Sequence, residues 1–182
     1  FTIGVSSLLL FIVTALASSL ESGGITSFIF AQNLQSFPLG IIGVSYSIAA
    51  FPSFSHHLAR GDLRGFLRSF SSTVRQVLFF CVPATVALIV LKAQIVRAAL
   101  GSGVFDWEDT VVTFRILQAL VFGLIAQSLV LLLARAFWAK EDTWRPALAA
   151  VVGALVTILS ALSLRTSYGI VGIAYAAQAG PA

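Results

Sequence analysis

Seven carboxylates and two histidines in 182 residues leave little material for acid–base chemistry. The histidines, His56 and His57, are adjacent, and no carboxylate lies at a metal-binding spacing from them. Serines are plentiful, but none sits in a nucleophile elbow, and there is no glycine-rich phosphate loop. An intramembrane Ser–Lys pair would have to use Lys92 or Lys140, both at helix ends. These residues do not make an enzyme. What they can do is recognise: Ser27, Gln32, Asn33, Gln35, Ser36, Ser45, Tyr46 and Ser47 crowd hydrogen-bonding groups into one otherwise apolar stretch. Arg64, Arg68 and Arg75 recur at helical spacing, and Arg115 stands alone in an apolar run.

The elements that must carry these groups follow from the distribution of charge. Charged residues are 10% of the chain, against about a quarter in soluble proteins. They leave residues 1–20, 22–59, 76–91, 116–134, 146–164 and 166–182 without a charge. A bilayer core of about 30 Å takes about 20 helical residues, so most of these windows are span-sized. The apolar residues come in continuous runs rather than in the alternation of a barrel strand. The expected fold is all-α: a polytopic transmembrane helix bundle of about six membrane helices plus short interfacial helices, in one transmembrane domain over residues 1–182. The uncharged start, the lack of methionine and the Gly180-Pro181-Ala182 end suggest a segment of a longer protein.

Along the chain, a first helix is expected over Phe1–Leu20 and a second over Ile25–Leu58. The second, about 50 Å if straight, should be interrupted at Pro38-Leu39-Gly40 and again at Pro52. Arg60-Gly61-Asp62 reads as a turn in which Asp62 caps the next helix. That helix begins at the membrane surface with the basic stripe opposite Leu63, Phe66, Leu67, Phe70 and Val74, then crosses through Leu91 with a kink at Pro83. Cys81, the one cysteine, lies in this span and reads as a packing residue. Lys92–Leu100 is a short amphipathic segment. One helix is expected from the acidic turn at Trp107-Glu108-Asp109 to about Ala139, another from Pro146 to near Leu164, and a last from near Tyr168.

Basic residues set the orientation. Arg60, Arg64, Arg68, Arg75, Arg135, Lys140 and Arg145 fall on one side and Lys92, Arg97, Arg115 and Arg165 on the other, which places the first group in the cytoplasm. The net charge of +4 then reads as topology and contact with anionic lipid, not as nucleic-acid binding. The polar residues between 27 and 47 admit two readings, interhelical hydrogen bonding or the wall of a substrate pathway. Arg115 either snorkels outward or faces a central cavity. The arginine stripe is a positive-inside surface helix that could also draw a pyrophosphate-bearing lipid to a cytoplasmic entrance.

Three ordered stretches carry a family resemblance. They are Phe30-Ala31-Gln32-Asn33-Leu34-Gln35-Ser36-Phe37-Pro38-Leu39-Gly40 running on to Ala59-Arg60-Gly61-Asp62, then Gly103-Val104-Phe105 with Asp109-Thr110, then Ala134-Arg135-Ala136-Phe137-Trp138-Ala139 through Asp142-Thr143 to Pro146. Together they resemble the MurJ/MviN family of lipid II flippases over nearly the whole chain. The resemblance implies a two-lobe bundle of roughly fourteen helices around a cationic cavity, of which this chain is most of the second lobe. It implies alternating-access transport of an undecaprenyl-diphosphate-linked precursor across the bacterial cytoplasmic membrane, driven by membrane potential or a coupling cation, with the first lobe of the same protein as partner. Gln32, Asn33 and Ser36, with Arg115, would face the substrate cavity; Pro38, Gly40 and Gly43 would form a hinge. Arg64, Arg68 and Arg75 would stand at the cytoplasmic entrance, and Asp142 is first a helix cap and second a cation-site candidate. The chain departs from the family where many members have Ala-Asp-Arg-Leu and it has Ala31-Gln32-Asn33-Leu34, so an uncharged Asn33 stands at the cavity arginine. A different lipid-linked oligosaccharide, a drug, or a non-transporting membrane scaffold is the alternative.

Overall fold

The computed structural model describes residues 24–100 and 107–177. The expected first helix, the Gly103-Val104-Phe105 motif and the side chains of Trp107-Glu108-Asp109 lie outside the described residues. The described chain is helical throughout. Helix α1 spans Gly24–Pro38 and passes through a π-helical segment, Leu39–Val44, into α2, Ser45–Ala59. Together they form a 34-residue apolar rod from Thr26 to Ala59. α3 spans Leu63–Val90, α4 Lys92–Leu100, α5 Trp107–Phe122, α6 Leu124–Ala139 and α7 Trp144–Ala177.

Pro38 explains the π segment. A proline inside a helix cannot donate to the carbonyl one turn back and its ring pushes that carbonyl away. The extra residue per turn absorbs the misfit. Ser45 Oγ donates to the Gly40 carbonyl at 3.2 Å and Ser47 Oγ to the Gly43 carbonyl at 2.6 Å, both within the rod itself.

Three expectations need correction. The rod runs through Pro52 and α3 through Pro83 with no break in either helix. Both rings are exposed, away from the packed core, and each proline removes one hydrogen bond of its own helix. The helix read as continuous from Trp107 to Ala139 is bent by 43° at Gly123, where α5 ends and α6 begins. Conversely, α7 continues to Ala177 instead of restarting near Tyr168. Arg165-Thr166-Ser167 looks like a loop by polarity, but nothing in it forbids helical φ and ψ.

Two clusters hold the bundle together. Phe28 and Ala31 of α1 pack on Ile116, Leu117 and Leu120 of α5, with Val96 of α4 and Ala154 of α7 beside them. Near the other end Ala50 and Phe54 of α2 meet Leu132 of α6, flanked by Phe66, Phe70 and Val74 of α3. Pairing in the order Phe28–Ile116, Ala50–Leu132 makes the rod and the α5–α6 passage run parallel, with α3 antiparallel between their second halves. The turns at Arg60–Asp62 and Lys140–Thr143 therefore share one end, as the basic residues require.

The outer surface is apolar where a soluble protein is polar. Phe79 is 73% exposed, and Phe80, Val82 and Val86 follow it along α3; Val151, Val152, Leu155, Val156 and Leu159 do the same on α7. Such continuous stripes exceed what water tolerates on a monomer surface and match what lipid accepts. Among the described residues two helices are long and apolar enough to cross a membrane, and three such spans result if the bent α5–α6 pair is one.

Candidate functional site

On α1 the packed stripe is Ser27, Phe28, Ala31 and Gln35. The neighbouring stripe carries Gln32, half-buried, and Asn33 and Ser36, both exposed, so the structure brings these three candidates onto one helix face that no described helix covers. Ser36 Oγ donates to the Gln32 carbonyl at 2.8 Å, which ties up its own donor. Asn33 has no hydrogen-bond partner among the described residues and lies beside exposed Ile29 and Phe37. Arg115 is exposed on α5 while Ile116 and Leu117 next to it are buried, and it makes no hydrogen bond with Gln32, Asn33 or Ser36.

The hinge candidates separate. Nothing lies within 4 Å of a Cβ built on Gly40, whereas one on Gly43 would sit 2.9 Å from Ser128 Oγ and 3.2 Å from Ser128 Cα. Gly40 faces open space; Gly43 is where α6 presses against the π segment. Around this contact lies a buried polar cluster. Gln35 Nε2 donates to the Leu120 carbonyl at 3.0 Å and to Gln127 Oε1 at 3.2 Å, and Cys81 Sγ donates to Ser128 Oγ at 3.3 Å. The Leu120 carbonyl also accepts the Gly123 N–H at 3.0 Å, a tight last turn that ends α5. Gln35 therefore caps the bend of another helix. Like Ser27, Gln35 is in register with Ala31 on the packed stripe, and that register is the signal that it points inward.

At the shared end, both turns are built alike. After α2, the Asp62 N–H reaches the His57 carbonyl at 2.9 Å and the Gly61 N–H the Leu58 carbonyl at 3.0 Å, with Gly61 at φ 69°. After α6, the Asp142 N–H reaches the Phe137 carbonyl at 3.1 Å and the Glu141 N–H the Trp138 carbonyl at 3.0 Å, with Glu141 at φ 60°. Each is a Schellman closure whose next residue, an aspartate, caps the following helix. Asp142 Oδ1 accepts from the Arg145 N–H and Oδ2 pairs with Arg145 Nε, both at 3.2 Å. Both its oxygens are thus engaged locally as a cap, and among the described residues no group of three or more histidine, cysteine or acidic side chains gathers around a common point.

Asp62 does more. Its Oδ1 accepts from the Gly65 N–H at 2.9 Å and its Oδ2 lies 3.0 Å from His57 Nδ1. The Gly65 N–H, then His57 and Arg68, hold the carboxyl below its ordinary pKa against opposing desolvation. A side chain at Gly65 would collide with both His57 and Asp62. This pair stands at one end of a groove of about 670 Å³ between α2 and α3. Arg64 and Arg68 line the same end, and Ser53, Ser69, Gln76 and Tyr46 line the walls further along. Of the entrance candidates, Arg75 does not line it; its guanidinium meets Ser71 at 3.4 Å on its own helix.

Long lipid-compatible helices, one passing through a π segment and another bent beside a buried polar cluster, define an integral membrane helix bundle with exposed polar side chains on one face of α1. Comparison with known proteins is specific: the family model described as lipid II flippase MurJ matches residues 1–181. The chain belongs to the MurJ family. It is 33% identical over 173 residues to a probable lipid II flippase MurJ of Rhizobium meliloti, covering 95% of this chain and 32% of that protein. It is 29% identical over 147 residues to the lipid II flippase MurJ of Thermosipho africanus, covering 81% and 30% respectively. A solved lipid II flippase MurJ in an inward closed conformation superposes with a TM-score of 0.89 at 27% identity, covering 97% of this chain and 37% of that one. The chain thus spans about a third of the relatives it matches.

Proposed function

We propose that the protein containing this chain carries lipid II, an undecaprenyl-diphosphate-linked peptidoglycan precursor, across the bacterial cytoplasmic membrane by alternating access. The observation that carries the reading is the match of the whole chain to lipid II flippases with its helices in the same places. The uncovered Gln32–Asn33–Ser36 face then forms part of the cavity wall opposite the other lobe, and Arg115 stands toward the outer side. The broken rod bends at Gly40 while Gly43 stays seated on α6. Transport breaks no covalent bond, so no catalytic group is needed; membrane potential or a coupling cation supplies the energy, and Asp142 is the candidate carboxylate for such a cation.

The test is lipid II exposure on the outer face of cells depleted of their own flippase and supplied with the full-length protein. Restored exposure is expected. No restoration, with the protein inserted and abundant, would overturn the reading. Asn33 favours a second reading, because an amide cannot give the charge-assisted bond to diphosphate that an arginine gives. A protein that restores exposure only as Asn33→Arg would be a carrier of another lipid-linked substrate or a membrane scaffold.

A further inference from the structure

The groove between α2 and α3 lies away from the Gln32–Asn33–Ser36 face and has its own chemistry. At its turn end two guanidiniums, Arg64 and Arg68, face one carboxylate, Asp62, whose oxygens are already engaged by Gly65 and His57. Both arginines are exposed, and neither forms a hydrogen bond or ion pair among the described residues. Each keeps five N–H donors in a fork shaped for an oxyanion. Further along the walls, over roughly 20 Å of helix, come neutral donors and acceptors, among them Ser72 and Gln76. Ser53 and Ser69 close the floor through a 2.9 Å contact between their hydroxyls.

The surroundings say what kind of anion. Leu63 and Leu67, 63% and 60% exposed, flank the arginines on the same helix turns. Cations set among exposed leucines lie at the level where headgroups meet acyl chains. We propose that this groove binds the phosphate-bearing headgroup of a lipid, Arg64 and Arg68 holding phosphate oxygens and the Ser72–Gln76 strip meeting the hydroxyl and amide groups beyond. The proposal rests on the transport reading only in taking this end as the cytoplasmic surface. The same chemistry is offered by a polyprenyl diphosphate sugar and by an anionic bilayer phospholipid.

The experiment uses full-length protein in phosphatidylcholine nanodiscs doped with either a polyprenyl diphosphate sugar or phosphatidylglycerol, with bound lipid counted by native mass spectrometry. R64Q/R68Q should lower retained phosphate lipid at least ten-fold, and S72F, which fills the groove without changing charge, should do the same. R60Q/K140Q, which removes two charges from the same end outside the groove, should change it less than two-fold. Preferential retention of the diphosphate sugar identifies the transported substrate as the occupant; equal retention identifies the bilayer lipid. Equal losses in R64Q/R68Q and R60Q/K140Q would reduce the groove to surface charge and overturn the proposal, as would full binding by S72F with unchanged helicity and elution. Binding that persists in a protein unable to expose lipid II would leave this site standing and remove the transport reading alone.

Discussion

Residues 24–62 and 107–142 are two passages through the bundle that run side by side, break near the same level and finish in the same turn, yet each is held by different means. The first passes from α to π geometry at Pro38, within its own sequence, and its own Ser45 and Ser47 hydroxyls bond carbonyls of the π segment. The second breaks at Gly123, and the carbonyl that ends α5 is satisfied by Gln35 of the first passage. One break is intrinsic and the other conditional. A bend that depends on a neighbour follows that neighbour, so movement of α1 must be felt at the α5–α6 bend before it reaches the turn end.

The seam where they touch is the place to break the comparison most severely. Gly43→Ala puts a methyl against the Ser128 backbone, which cannot rotate away as the hydroxyl can. Overpacking of this kind costs about 1–3 kcal/mol, read as a lower thermal midpoint of the full-length protein in detergent. Gly40→Ala, three residues earlier and facing open space, should hold or raise the midpoint, by about 0.5–1 kcal/mol at most. Equal destabilisation by both would mean that helix flexibility, and not the close approach, is what these glycines supply.

Next in size is Gln35→Leu. It leaves the Leu120 carbonyl with the Gly123 N–H alone and removes the Gln127 bond, a loss of about 1–3 kcal/mol for a buried polar site. The specific outcome is geometric: spin labels on either side of Gly123 should report a straighter or more variable α5–α6 angle, while labels across Leu39–Val44 stay as they were. Ser45→Ala, the matching change in the first passage, removes an exposed bond within one helix and should cost under about 1 kcal/mol. A bend at Gly123 that survives Gln35→Leu unchanged would make both breaks intrinsic.

The same contrast explains what could be read in advance. Pro38 announces its break because the missing N–H is a property of the residue itself, and Asp62 announces its cap because the Arg60-Gly61-Asp62 turn is local. Gly123 announces nothing, since a glycine in an apolar helix is common and its bend is fixed by Gln35, 88 residues earlier in the chain. Pro52 and Pro83 mislead in the opposite direction, because each costs its helix a hydrogen bond and crowds a carbonyl one turn back, yet the helix continues through it. The Gln32–Asn33–Ser36 candidates came from the family resemblance, and the groove had no such pointer. Its α3 arginines lie in one visible stripe, while His57 and Ser53 come from α2 and reach them only through the turn.

The turns sharpen the comparison at about 1 kcal/mol. Both place one residue in the left-handed region, Gly61 in the first and Glu141 in the second. Side-chain-bearing residues pay about 1 kcal/mol there and glycine does not. Gly61→Ala should therefore lower the midpoint and Glu141→Gly raise it by a similar amount. A neutral Glu141→Gly would show that the glutamate side chain compensates its own strain.

The smallest effect distinguishes the aspartates by what faces them. Asp62 is held in its charged form by the Gly65 N–H, with His57 and Arg68 adding to it, so its pKa in the folded protein lies below the ordinary 3.8. A carboxyl depressed by folding contributes stability that is fully present above its unfolded pKa and is lost as pH falls through the folded one. Asp62→Asn keeps a capping side chain and removes only the charge. The midpoint of the native protein should exceed that of Asp62→Asn by a constant margin from neutral pH down to about pH 5, and the margin should close below about pH 4. No margin at neutral pH would mean that the charge of Asp62 adds nothing at this turn beyond the cap that an amide also supplies.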